Sequence, residues 1–483
     1  MRKIYLLVAF ILASRALTLA QENQNGQSFT LEQAVEYALA NNANAKNATL
    51  DERIANARVK ETRGIGLPQI DASVGITHNQ KLPRFFSQYN PDQQGFIDLS
   101  SIPGIQAGDV VALQNFFQLK SAGNASLTIS QILFNGSYLV GLQAANAYRD
   151  LSVKTNAQTK ENIVEQVTKA YYNVLINKDR VTLFDVNIAR VDSLLRTTKA
   201  LNENGFAEAI DVDRIQVTAN NLKAQRDNFR NLQELGLQLL KFQMNYPMDQ
   251  NIDVQGDIAS LQIDENLLAN YAEKWDYSQR TDYSILESNR KLQALNIKNK
   301  YAESLPSLIA FANLGYSTQS PNIGGLFKTE SNIQEIPEFG IGPDKWYSFS
   351  SFGVTLNVPL FSGLQRNYRL QQEKLNMQKI ENGFTSLKAA IDLQVKQSAI
   401  SYLNAVNTLK SQAANRQLAE NVARVTKIKY EQGVGSNLEV TEAESALREA
   451  QINYYAALYD ALVAKVDLDK AYGKLNPQNP QDK

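Results

Sequence analysis

Few residues in this chain are equipped for chemistry. Among 483 residues there is one histidine, His78, and no cysteine. A catalytic or metal-ligating histidine needs convergent partners, and none accompanies His78, which falls at the end of a strand-like run beside a loop and reads as a surface or lumen residue. Without cysteine there is no thiol nucleophile, no thiolate ligand, no disulfide framework and no lipid attached to an N-terminal Cys. Gly340-Ile341-Gly342-Pro343 lacks the strand, helix and lysine of a phosphate-cradling loop, and no Gly-x-Ser-x-Gly elbow occurs. No catalytic, cofactor or metal site emerges, so an enzyme is not expected. Lys+Arg equals Asp+Glu at 49 each, which leaves no basic excess to hold nucleic acid.

The elements that position the remaining residues are more informative. Met1-Arg2-Lys3, the apolar run Ile4 to Ala13 and the small residues Ala16 and Ala20 have the layout of a signal peptide over 1–20. That run is short of the roughly 20 residues a spanning helix needs, and no later segment reaches that length without charges. The chain also repeats itself. Leu133-Phe134-Asn135-Gly136 is echoed by Leu360-Phe361-Ser362-Gly363, Gly66-Leu67-Pro68 by Ser304-Leu305-Pro306, and Gly205-Phe206 through Val212 by Gly433-Val434 through Val440. Three echoes in one order indicate duplication. The halves fall at 21–246 and 247–475, with a tail over 476–483. Each half reads as a helical opening, a Leu-Pro junction, two strands around a polar loop, a Gly junction and two long helices. In the first opening, Thr30 is the expected N-cap with Gln33 as its capping-box partner, and the helix is expected to run toward Arg63.

Four strands are expected, at about 68–80, 123–134, 307–317 and 347–360. Phe352, Val354, Leu356 and Val358 alternate with Ser351, Gly353, Thr355 and Asn357, and Ala125, Leu127, Ile129 and Leu133 alternate with Ser126, Thr128 and Ser130. Alternation alone also fits the hairpins of a soluble sandwich. The loops Lys81 to Ala122 and Ser317 to Lys345 favour a membrane barrel, because soluble hairpins keep to two to five residues. Trp346, Tyr347 and Phe349 stand where a strand would meet lipid headgroups, as an aromatic girdle does. Four strands cannot close on themselves, and open edges in lipid leave backbone groups unsatisfied, so oligomerisation is expected; a trimer would supply about twelve strands.

Long helices are expected over 137–204, 209–244, 363–432 and 438–472. The first and third contain no proline and almost no glycine, and at 1.5 Å per residue each would span roughly 100 Å. In the last helix Leu447, Tyr454, Leu458 and Leu462 recur with alanines between them, the rhythm of a coiled coil.

The Leu-Phe-x-Gly ends at Phe134 and Phe361, the Leu-Pro junctions at Pro68 and Pro306, the Gly-centred tips at Gly205 and Gly433, and the closing Ala471-Tyr472-Gly473-Lys474-Leu475 together resemble the TolC family of outer-membrane efflux proteins, over nearly all the mature chain. The resemblance implies a mainly α fold with a transmembrane β-barrel: a homotrimer with a 12-stranded barrel in outer-membrane lipid, a helical barrel through the periplasm, and a girdle of smaller elements that takes in Pro247 to Ser304. It implies docking of a periplasmic adaptor at the tips, with Gly205, Phe206, Gly433 and Val434 as contact candidates, and an inner-membrane pump of RND, ABC or MFS type. Glu439 and Glu442 match the acidic rings of the family's closed periplasmic aperture; a glutamate early in a helix is equally a routine response to the helix dipole. Asp211 and Tyr430 match residues that tie neighbouring tips together. The basic partner is missing, because Gly435 stands there, which leaves Arg214, Arg424 or Lys427 to build the lock. An export duct is thus expected; a periplasmic coiled-coil scaffold or adaptor without a pore is the alternative.

Overall fold

A computed structural model describes residues 27–92, 97–115, 117–258, 267–272, 275–328, 333–336, 338 and 340–475. The expected signal peptide at 1–20 and the tail at 476–483 lie outside the described residues. In chain order the elements are β1 (Gln27–Phe29), α1 (Leu31–Asn41), α2 (Ala43–Ile65), β2 (Gln69–His78), β3 (Phe85–Gln88), β4 (Val110–Leu113), β5 (Ser121–Asn135), α3 (Gly136–Glu203) and α4 (Ala209–Met244). They continue with β6 (Ile252–Val254), α5 (Leu267–Ala272), α6 (Thr281–Ala302), β7 (Ser307–Ser320), β8 (Tyr347–Asn357), α7 (Gln365–Glu431) and α8 (Asn437–Ala471). The chain divides into two compact units, each drawing on both sequence halves.

One unit, residues 58–145 and 295–372, is built on a four-stranded antiparallel sheet in the order β2-β5-β7-β8. Its strands correspond to the four expected from alternation. Paired residues share a face, so the register sorts every side chain. One face carries Ile70, Val74, Leu127, Leu314, Phe352 and Val354; the other carries Ser73, Ser126, Thr128, Asn313, Ser351 and Thr355. Many of the apolar residues are exposed within the single chain, Phe352 at 90% and Val74 at 77%. Among the described residues, strands β2 and β8 each pair on one side only and leave a free edge. Strands β3 and β4 pair antiparallel inside the first long loop, Lys81 to Ala122, where no strand was expected. No helix among the described residues is long and apolar enough to cross a membrane.

The second unit spans residues 1–57, 146–294 and 373–483, and its described residues are mainly helical. Phe184, Ile188, Val191 and Leu195 of α3 pack against Ile215, Ala219 and Leu222 of α4 at alternating spacings of four and three, the knob spacing of a coiled coil. The Thr30 capping box is present: the Gln33 N–H donates to Thr30 Oγ1 at 3.3 Å and the Thr30 N–H to Gln33 Oε1 at 3.0 Å. The helix it opens does not run unbroken toward Arg63. Asn42 adopts φ −57° and ψ 134°, its Nδ2 donates to the Gln243 carbonyl at 2.7 Å, and its Oδ1 accepts the Asn44 N–H at 2.8 Å, so it ends α1 and starts α2. Strand β1 pairs in parallel with β6, and the Tyr171 hydroxyl donates to Phe29 O at 3.0 Å and also to Gln255 O, pinning both to α3.

Two electrostatic features organise this unit. Arg280 is only 6% exposed and donates to Asp282, to Gln394 Oε1 at 3.0 Å, and to the Lys470 and Ala471 carbonyls at the end of α8. Glu165 accepts from Lys169 at 2.8 Å and Lys470 at 2.5 Å, tying α3 to the same end of α8. Burial lifts the Asp179 carboxyl from 3.8 to about 6, against the hydrogen bond it accepts from the Ile258 N–H at 3.1 Å, and neighbouring Asp257 adds to the rise. A raised carboxyl keeps its proton in the folded chain after the unfolded chain has lost it. The contribution of Asp179 to stability is therefore greatest below pH 3.8, falls as pH rises toward about 6 and is flat above. Asp179→Asn removes that loss and is expected to raise the melting temperature above pH 6 but not below pH 3.8; a gain that does not change with pH would contradict this.

Candidate channel entrance and barrel wall

The two helical hairpins turn at Gly205 and Gly433, both in the left-handed region at φ 79° and 74°, where glycine carries no Cβ penalty. Both turns close alike. The Phe206 N–H donates to Leu201 O at 2.8 Å and the Val434 N–H to Lys429 O at 3.0 Å, each five residues back, while Gly205 and Gly433 donate three residues back. Phe206 is 81% exposed and Val434 73%, so the apolar tip residues face away from their own hairpins. The turns differ in how their second helices begin. Ser436 caps α8 by accepting the Glu439 N–H at 3.2 Å, whereas Glu208 begins α4 with no side-chain cap.

Asp211 lies in the first turn of α4, with Arg214 3.6 Å away on the same helix. Its backbone carbonyl accepts from Asn437 Nδ2 at 3.4 Å, which joins the start of α8 to the start of α4. Asn437 is only 7% exposed, and its Oδ1 has no hydrogen-bond partner. Tyr430 stays half-buried at the end of α7. A Cβ of any kind at Gly435 would stand 3.1 Å from the Tyr430 N and 3.2 Å from Lys429 Cβ, so the turn must give by a few tenths of an ångström to take a side chain there. Of the three cations considered for the lock, Arg214 faces Asp211, Lys427 faces Glu431 at 3.9 Å in its own helix, and Arg424 is exposed. Lys429, which sequence reasoning passed over, faces Glu439 at 3.8 Å across its own turn. Glu439 and Glu442 lie one turn apart on α8, both exposed. Asn437 was also missed: beside a capping serine it looks like ordinary turn chemistry, and only a carbonyl 226 residues away gives it another role.

The register corrects the aromatic candidates. Tyr347 pairs with Ser317 and Phe349 with Gly315, which places both on the polar face, not on the apolar face a lipid girdle requires. Period-two counting from Phe352 would have shown this. Trp346 keeps to the apolar side, where its ring lies over the position of Gly123 and its Nε1 donates to Leu326 O at 3.0 Å. His78 also belongs to the apolar face, at its loop end, with Nδ1 2.8 Å from Ser121 Oγ. Among the described residues no group of three or more His, Cys, Asp or Glu side chains could hold a metal ion.

The family model described as outer membrane efflux protein matches residues 34–241 and 286–474, most of the chain and both halves. TolC of Escherichia coli is 22% identical over 482 residues, covering 96% of this chain and 86% of the relative. TolC of Vibrio cholerae is 22% identical over 369 residues, covering 74% of this chain and 78% of the relative. Among solved structures, the open state of the Neisseria gonorrhoeae MtrE outer membrane channel superposes with a TM-score of 0.67 at 18% identity, covering 92% of this chain and 89% of that one. The Campylobacter jejuni CmeC outer membrane channel does so with a TM-score of 0.65 at 16% identity, covering 93% and 86%. The fold is thus that of the TolC-like channels. The chain belongs to the outer membrane efflux protein family: it is an outer-membrane efflux channel with a periplasmic extension, and not an enzyme.

Proposed function

We infer that three copies of this chain, freed of residues 1–20, assemble into the exit duct of a tripartite efflux or type I secretion system. The observation that carries this reading is the four-stranded sheet with two unpaired edges and an exposed apolar face. In lipid such edges must be paired, and copies of the same sheet supply the partner, giving a barrel of about twelve strands. The helices carry matching needs. Leu232, Leu235, Leu239 and Phe242 of α4, and Leu418, Val422, Val425 and Ile428 of α7, form exposed apolar stripes at coiled-coil spacing. The two repeats, 21–246 and 247–475, each contribute two strands and one helical hairpin. Exposed Phe206 and Val434, with Gly205 and Gly433 beside them, form the surface for a periplasmic adaptor, through which an inner-membrane pump drives export.

Planar-bilayer recording of the detergent-extracted protein, with its mass in detergent, tests the reading. A trimer of small, cation-preferring conductance is expected; a water-soluble monomer without conductance would overturn it in favour of a coiled-coil scaffold. Glu439 and Glu442 are assigned to the periplasmic aperture. Three copies of each would form carboxylate rings that attract cations. Glu439→Gln with Glu442→Gln is accordingly expected to weaken block by multivalent cations about tenfold, and unchanged block would remove these residues from the aperture.

A further inference from the structure

The polar face of the sheet holds three aromatic rings that neither lipid nor a core accounts for. Its residues are otherwise mostly serine, threonine, asparagine and glutamine. Phe349 pairs with Gly315, and a Cβ at Gly315 would stand 2.7 Å from the tip of that ring; Phe311 pairs with Gly353, and a Cβ there would stand 2.8 Å from its tip. Each ring therefore lies over the glycine of the neighbouring strand, in reciprocal fashion, with its open side away from the sheet. Four residues separate the two rows, a rise of about 13 Å, and Tyr347 continues the series toward the loops.

The same face carries the only Asp, Glu, Lys or Arg on the four strands, Asp71, which is exposed. Its row runs Asp71, Thr128, Asn313, Ser351, between the row of Phe349 and the row of Phe311. Asp71 lies on β2, and Phe349 and Tyr347 lie on β8, the two edge strands that closure from several copies makes neighbours. We propose that Asp71, Phe311 and Phe349 form a contact site for aromatic organic cations on the inner wall of the barrel. This rests on the channel reading above, in which the polar face lines the pore. The chemistry is complementary on both counts: a carboxylate attracts positive charge, and the negative face of an aromatic ring accepts a cation or a second ring.

Two cations of equal charge test it on the purified full-length protein in a planar bilayer: tetraphenylphosphonium, which is aromatic, and tetraethylammonium, which is not. Tetraphenylphosphonium is expected to block at a concentration about tenfold lower. Phe311→Leu with Phe349→Leu should bring the two blocking concentrations to within about threefold of each other. Asp71→Asn should weaken both blockers alike. Equal block of the wild-type channel by both cations, or a preference that survives loss of the rings, would overturn the site and leave the phenylalanines as fillers of glycine positions. If the double variant does not assemble, Phe349→Leu alone is read the same way. Absence of any conductance from the wild-type protein would instead be the failure of the channel reading.

Discussion

Arg280→Ala is expected to destabilise the helical unit by about 3–5 kcal/mol, the usual cost of removing one partner from a buried charged network. The substitution leaves Asp282 without its guanidinium and withdraws donors from Gln394 and from the Lys470 and Ala471 carbonyls, all at a site where the arginine is 6% exposed. Its neighbourhood sharpens the loss. The Thr281 hydroxyl beside it donates at 2.6 Å to Glu161, whose carboxyl is raised by burial and held down by that bond and by the charges of Arg280 and Lys470. Removing Arg280 pushes Glu161 toward its neutral form. Arg280→Lys should recover little, because one ammonium cannot reach a carboxylate, an amide and two carbonyls at once. Thermal unfolding in detergent, followed by circular dichroism, reads the effect; a midpoint equal to wild type would show that the network is replaceable.

The second large effect is expected at Gly315. Any side chain there meets the Ala125 backbone carbonyl at 2.5 Å as well as the Phe349 ring, so the central strands β5 and β7 must part before the residue fits. Gly315→Val should cost at least the ~1–3 kcal/mol of an overpacked site and sharply lower the yield of heat-resistant assembly. Gly353→Ala is the informative contrast. The nearest atoms there belong to the Phe311 ring, which can swing aside, so assembly should persist. Equal yields from the two variants, read on a gel without boiling, would mean that the contact with the Ala125 carbonyl does not govern the fit.

Much of this architecture is legible in the sequence because it is periodic. Alternation over 69–78 and 347–357 and unbroken helical runs over 136–203 and 365–431 are local patterns, and a capping box such as Thr30 with Gln33 spans three residues. What escaped depends on distant partners. The break at Asn42 is fixed by a carbonyl at Gln243, and β1 and β6, three residues each, exist only because they find one another across the chain. The tip was legible as a turn, from its glycines, but not as a contact, since the join from Asn437 to Asp211 crosses between hairpins. The misplacement of Tyr347 and Phe349 has a different origin. Their aromatic character suggested a girdle, while their parity, odd like Ser351 and Gly353, assigned them to the other face.

The free edges of β2 and β8 also bear on genetics. On the trimeric reading proposed above, a sheet completed only by its siblings cannot fail privately: one misfolded copy leaves the two good ones with edges that nothing closes. If defective and normal copies are made in equal amounts and mix freely in threes, about one assembly in eight is wholly normal. A sheet-breaking allele of this protein should therefore be dominant, silencing most of the channels in a cell that still carries an intact gene.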